Sequence, residues 1–91
     1  MEFEWDPDKA DANFAKHGVS FAEAATVFAD PLSTTFDDPD HSEEEDRYII
    51  IGLSNRSRLL VVAHTDRDEH TRIISAREAT HSERQFYEEG N

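Results

Sequence analysis

Ninety-one residues make one small domain, 1–91, and the absence of cysteine excludes disulfides, thiolate zinc sites and a cysteine nucleophile. No apolar run is long enough to cross a membrane. The acidic start, Met1-Glu-Phe-Glu-Trp-Asp, lacks the basic segment of a signal peptide, so the expected location is cytoplasmic. The net charge of −12 repels polyanions at long range, but it is unevenly spread. Residues 1–46 hold fourteen Asp and Glu against Lys9 and Lys16, whereas residues 47–91 hold seven of each sign, all the cations being arginine. The second half is therefore neutral, with arginines available to form a positive face. An acidic, lysine-poor composition also fits a salty cytoplasm, where ions screen self-repulsion.

Phe3 and Trp5 alternate with acidic residues, which predicts a short strand. Asp6-Pro7 reads as an N-cap followed by proline in the first turn, and Gly18 as a left-handed stop, giving a helix with Ala10, Asn13, Phe14 and His17 on one stripe. Ser20…Glu23 is a capping box with Val19 and Ala24 as its staple; Phe21, Ala24, Ala25 and Phe28 form an apolar face, and Asp30-Pro31 ends this second helix. A strand is predicted over Leu32–Phe36. Asp37–Asp46 carries seven acidic residues with Pro39, His41 and Ser42, and reads as a solvated loop or, without matching calcium-loop spacing, a divalent-cation site. Tyr48–Leu53 and Leu59–Thr65 form a hairpin around Ser54–Ser57, apolar enough to be covered on both faces. A second hairpin turns at Asp66–Glu69 into the strand Thr71–Ala76. Thr80…Glu83 opens a last helix, with Phe86 and Tyr87 toward the core and Gly90 at its end. The sum is an α+β domain: an antiparallel sheet of four to five strands, an N-terminal helical hairpin and a C-terminal helix.

Two motifs carry a resemblance. Trp5-Asp-x-x-Lys9 with Asn13-x-x-Lys-His-Gly-Val-Ser-Phe21, and Arg72-Ile-Ile-Ser-Ala-Arg77-x-Ala-Thr80 with Glu83-Arg84 and Tyr87-Glu88, resemble the two signatures of the BrnT toxins. The resemblance spans Trp5 to Glu89. It implies a RelE-like fold and endoribonuclease activity that arrests translation, on RNA that is free or ribosome-associated. It also implies a BrnA antitoxin of ribbon-helix-helix type, in a heterotetramer that reaches operator DNA only through the antitoxin. The residue after the last motif arginine is often basic in that family; here it is Glu78.

RNA cleavage without a metal or cofactor needs a base for the 2′-hydroxyl, an acid for the leaving oxygen, and cations against the transition-state charge. Arginine suits the third role, because its planar fork matches phosphate oxygens. Arg77, Arg72 and Arg67 are the candidate phosphate clamps, with a structural ion pair as the other reading of Arg77 and a solvated turn as that of Arg67. Strict alternation puts Arg72 and Arg77 on opposite sheet faces unless a strand end or bulge re-aims one. His64 is the candidate proton carrier, or else a core histidine. His81 and Arg84, one turn apart at a helix start, and Lys9 and His17, on one face of the first helix, are candidate RNA contacts. His17 equally complements the helix C-terminus, and Trp5 reads as core. No metal-ligand spacing is present. Glu78, beside Arg77, leaves open a toxin-like subunit that mainly binds its antitoxin. Arginines consumed in internal salt bridges would indicate a purely structural domain.

Overall fold

A computed structural model describes residues 1–38 and 46–89. Its elements are β1 (Glu2–Glu4), α1 (Pro7–His17), α2 (Phe21–Thr26) continuing into a 3-10 turn (Val27–Ala29), β2 (Thr34–Asp37), β3 (Arg47–Leu53), β4 (Leu59–Arg67), β5 (His70–Glu78) and α3 (His81–Glu89). The expected Gly90 stop and most of the acidic loop, with Pro39, His41 and Ser42, lie outside the described residues.

The helix signals act as read. The Asp6 carboxylate accepts from the backbone N–H of Asp8 and Lys9, and Gly18 closes α1 at φ 69°. The Ser20 hydroxyl accepts from Glu23 N–H, while Thr80 and Glu83 cap α3 reciprocally, Thr80 N–H donating to Glu83 at 2.9 Å and Glu83 N–H to Thr80 at 3.2 Å. Within α3 only half of the expected apolar pair is buried: Tyr87 enters the core, whereas Phe86 is 47% exposed. Leu32 lies in the turn before β2 rather than in the strand, and Phe14 on α1 is exposed.

The five strands run in the order β1-β5-β4-β3-β2. The expected antiparallel sheet is in fact mixed, because β1 lies parallel to β5, Glu2 opposite His70, Phe3 opposite Thr71 and Glu4 opposite Arg72. Alternation alone says that β1 is a strand with one apolar face; its direction follows from where Phe3 finds the core and its two glutamates find cations.

Both faces of the sheet are packed, in keeping with the apolar runs of β3 and β4. On one side α1 and α2 cover Ile50, Leu60, Val62, Ile73 and Ala76 through Val19, Phe21, Ala24 and Val27. Trp5 belongs to this core, edge-on to Phe21 at 6.0 Å. On the other side Tyr87 of α3 packs against Ile51, Leu59 and Val61. Gly52 lets the 3-10 turn close onto β3, since a Cβ there would stand 2.9 Å from Val27 Cγ1 and 3.0 Å from Ser33 Cβ.

One irregularity decides what the second face carries. Ala63 lies opposite Ser75 but His64 lies opposite Ile73, so Ile74 is an extra residue in β5. The side-chain alternation of β5 shifts there. Ile73 and Ala76, three apart, both enter the core beneath α1 and α2. Arg72 and Arg77, five apart, consequently both point to the α3 side.

Candidate functional site

The α3 side of the sheet carries cross-strand rows of polar residues. Arg47, Thr65, Arg72 and Glu4 lie opposite one another on β3, β4, β5 and β1. Arg67, His70 and Glu2 form the next row toward the sheet's end. Arg77 stands opposite Val61, farther along β5. With strands about 4.8 Å apart, Arg47 and Arg72 are rooted roughly 10 Å from each other. α3 packs over the β3 end of this face; Ser75 is exposed, and Ala63 and Arg72 are part-buried.

Arg72 and Arg77 each hold a carboxylate. Arg72 donates to Glu4 at 2.8 Å. Arg77 holds both oxygens of Glu83, at 2.7 and 2.8 Å, and also donates to the carbonyl of Glu78 at 3.3 Å. The Arg77 guanidinium pulls the Glu83 carboxyl down to about 2, against an opposing effect of burial, with the capping bonds of Thr80 helping. Reciprocally, Glu83 raises the pKa of Arg77. Arg77 is thus pre-oriented at the start of α3, where His81 and Arg84 are both exposed.

Glu78 does not occupy the place expected of it. Its carboxylate pairs with Arg58 at 3.5 Å, away from the Arg77 guanidinium. Arg58 belongs to a buried network, donating from Nε to Glu23 at 3.0 Å while the Ser54 hydroxyl donates to the same carboxylate at 2.7 Å. The carboxylate beside Arg77 is Glu83. The sequence signal for this was available: the capping position of Glu83 brings it back to the strand end that Arg77 closes.

His64 is not brought together with the arginines. It sits on the α1 and α2 side, 5% exposed, its ring 4.8 Å from Phe28 and 5.9 Å from Tyr48. Burial lowers its pKa, against the smaller opposing effects of the Val62 carbonyl and Asp66. This is the geometry of a neutral core histidine. Lys9 and His17 are carried by α1, across the sheet from Arg72 and Arg77. Arg47 and His70 join the arginine face although neither was singled out in the sequence; only the strand pairing aligns them with Arg67 and Arg72. Beside α3, a groove of about 420 Å³ is lined by Phe36, Ile51, Ser82, Glu83 and Phe86.

Residues 5–83 match the profile of the ribonuclease toxin BrnT of type II toxin–antitoxin systems. The chain belongs to the BrnT family. The crystal structure of the Brucella abortus ribonuclease toxin BrnT superposes with a TM-score of 0.68 at 28% identity, over 88% of this chain and 97% of that one. A search of curated proteins returns no match. Membership in the BrnT family makes this chain a ribonuclease toxin of a type II module by class, and its mixed sheet and three helices are the BrnT fold.

Proposed function

We propose that this chain is an endoribonuclease toxin that cleaves RNA on the arginine face of its sheet, by attack of the ribose 2′-hydroxyl and without a metal ion. The observation that carries the reading is the β5 bulge at Ile74, which turns Arg72 and Arg77 to the same side as Arg47 and Arg67. Arginine forks on one face suit a diester whose charge grows in the transition state. The acidity of the first half is partly segregated: exposed Asp8 and Asp11 ride on α1, across the sheet. Long-range repulsion therefore coexists with a face on which four arginines gather among Glu2, Glu4 and Glu83.

The partner we infer is a BrnA-like ribbon-helix-helix antitoxin in a heterotetramer, with DNA contacted through the antitoxin and the pair acting in the cytoplasm. The family class and the groove bounded by exposed Phe36 and Phe86 support a protein partner. No helix among the described residues is long and apolar enough to span a membrane.

The test uses purified protein and two matched oligonucleotides, one of RNA and one with 2′-deoxyribose throughout, each with and without chelator. Cleavage of the RNA alone, undiminished by chelator and leaving cyclic phosphate ends, is expected. Cleavage of the deoxy strand or dependence on added metal contradicts the chemistry. An intact RNA favours a second reading, a binding subunit that mainly complexes its antitoxin. That reading draws on the carboxylates already held by Arg72 and Arg77, and it expects normal growth when the chain is expressed alone.

A further inference from the structure

The arginine face needs a proton carrier, and His64 is on the other side of the sheet. His70 is on the right side. It stands opposite Arg67 on β4 and opposite Glu2 on β1, two residues before Arg72. Its side chain is 42% exposed, so a substrate can reach it, and its two nitrogens face different carboxylates. Nδ1 lies 3.6 Å from Glu4, and Nε2 lies 3.4 Å from Glu2. The two glutamates are not equivalent. Glu4 is anchored by Arg72 at 2.8 Å, whereas Glu2 is 76% exposed near the chain's start.

We propose that His70 is the proton-transferring catalytic residue of this face, and that Glu4, fixed by Arg72, is the positioning residue that orients its ring. The proposal rests on the ribonuclease reading and adds to it the group that moves the proton. A base held by a third group is a recurrent arrangement for activating a hydroxyl. Once Glu2 has left Nε2, the anchored carboxylate of Glu4, 3.6 Å from Nδ1, favours the tautomer with the proton on Nδ1, leaving Nε2 to accept. Exposed Glu2 is the group that a bound phosphodiester displaces from Nε2.

The step balances without a further reactant. Nε2 takes the proton of the 2′-hydroxyl as the 2′-oxygen bonds to phosphorus. The bond from phosphorus to the 5′-oxygen breaks, and that oxygen takes a proton from water. The imidazolium then returns its proton to the hydroxide so formed. The products are a 2′,3′-cyclic phosphate and a 5′-hydroxyl. The charged groups around the ring are Glu2 and Glu4 from β1, Arg67 from β4, and Arg72 on its own strand. Arg67 and Arg72 are placed to meet the phosphate that the ring serves.

The test compares wild type with His70→Ala and Glu4→Gln on an RNA oligonucleotide, across pH and with added free imidazole. Thermal melting verifies that each variant folds. Loss of about 100-fold or more in kcat for His70→Ala is expected, the scale of a lost general base. Loss of the acid-side limb of its rate–pH profile and partial rescue by imidazole should accompany it. Glu4→Gln is expected to lower kcat with KM little changed. A His70→Ala variant within twofold of an active wild type at every pH overturns the assignment while leaving the ribonuclease reading intact. A wild type that leaves RNA uncut, in a preparation that melts cooperatively, overturns both. Lost activity without imidazole rescue and with an unchanged pH profile also overturns it, since that is how a merely structural histidine behaves.

Discussion

His64 is packed between Phe28 and Tyr48 and kept neutral by burial. Its lowered folded-state pKa means that the unfolded chain binds the extra proton first. Stability from this site is full above the unfolded value near 6.5 and falls as pH drops below it. A urea series from pH 7.5 to 5 is expected to show this decline in wild type. His64→Leu should reduce the slope, and an unchanged slope contradicts the neutral-core reading. Glu83 has a linkage of the same sign in a more acidic window. Its folded value of about 2 lies below the ordinary 4.5, so the stability it contributes is present above 4.5 and lost as pH falls toward 2. Arg77 is 41% exposed, so solvent discounts the pair, and Glu83→Gln is expected to cost about 1–2 kcal/mol at pH 7. The deficit should shrink as pH falls toward 2. A constant deficit in denaturant titrations at both pH extremes would assign the loss to the capping bonds instead.

Among the elements, β5 determines the site and Asn13 determines how β5 is held. β1 pairs with His70–Arg72, so among the described residues the outer edge of β5 is without a strand partner beyond Arg72. The buried Asn13 side chain takes that place at one residue. Its amide donates to the carbonyls of Ala76 at 2.8 Å and Val19 at 3.0 Å, and Ala76 N–H donates to its oxygen at 3.1 Å. Asn13→Ala leaves these buried groups unpaired and is expected to cost about 2–4 kcal/mol, read as a lower urea midpoint. A loss below about 0.5 kcal/mol would mean that water replaces the amide. The caps, both hairpins and the doubly covered strands were legible in the sequence, because each rests on local spacing: Asp6 with Pro7, Ser20 with Glu23, the apolar runs of β3 and β4. The direction of β1 was not, since the alternation of Phe3 and Trp5 names no neighbour. The face of Arg72 and Arg77 could be stated as conditional on a bulge, but nothing in Ile73-Ile74 marks the extra residue. Arg47 and His70 were invisible as site members for the same reason: pairing register is a tertiary fact. Glu78 was read by adjacency to Arg77, and strand alternation sent it to Arg58 instead.

At the scale of the whole molecule, a charge of −12 on ninety-one residues disfavours the compact state through self-repulsion. Added salt is expected to raise the thermal midpoint by several degrees between low and molar ionic strength, as screening shortens the repulsion. A flat response sinks the link to a salty cytoplasm. The same screening bears on RNA, which must approach an acidic body to reach the arginine face. This approach is expected to end on the sheet face bearing Arg47, Arg67, Arg72 and Arg77. The most direct measurement is NMR of the labelled protein titrated with a 2′-O-methyl RNA oligonucleotide, which binds but lacks the nucleophile. Shift changes centred on Arg47, Arg67, His70, Arg72, Ser75 and Arg77 are predicted, with Lys9, His17 and the rest of α1 unmoved. Changes centred on α1 and α2, with the arginine face silent, would contradict it.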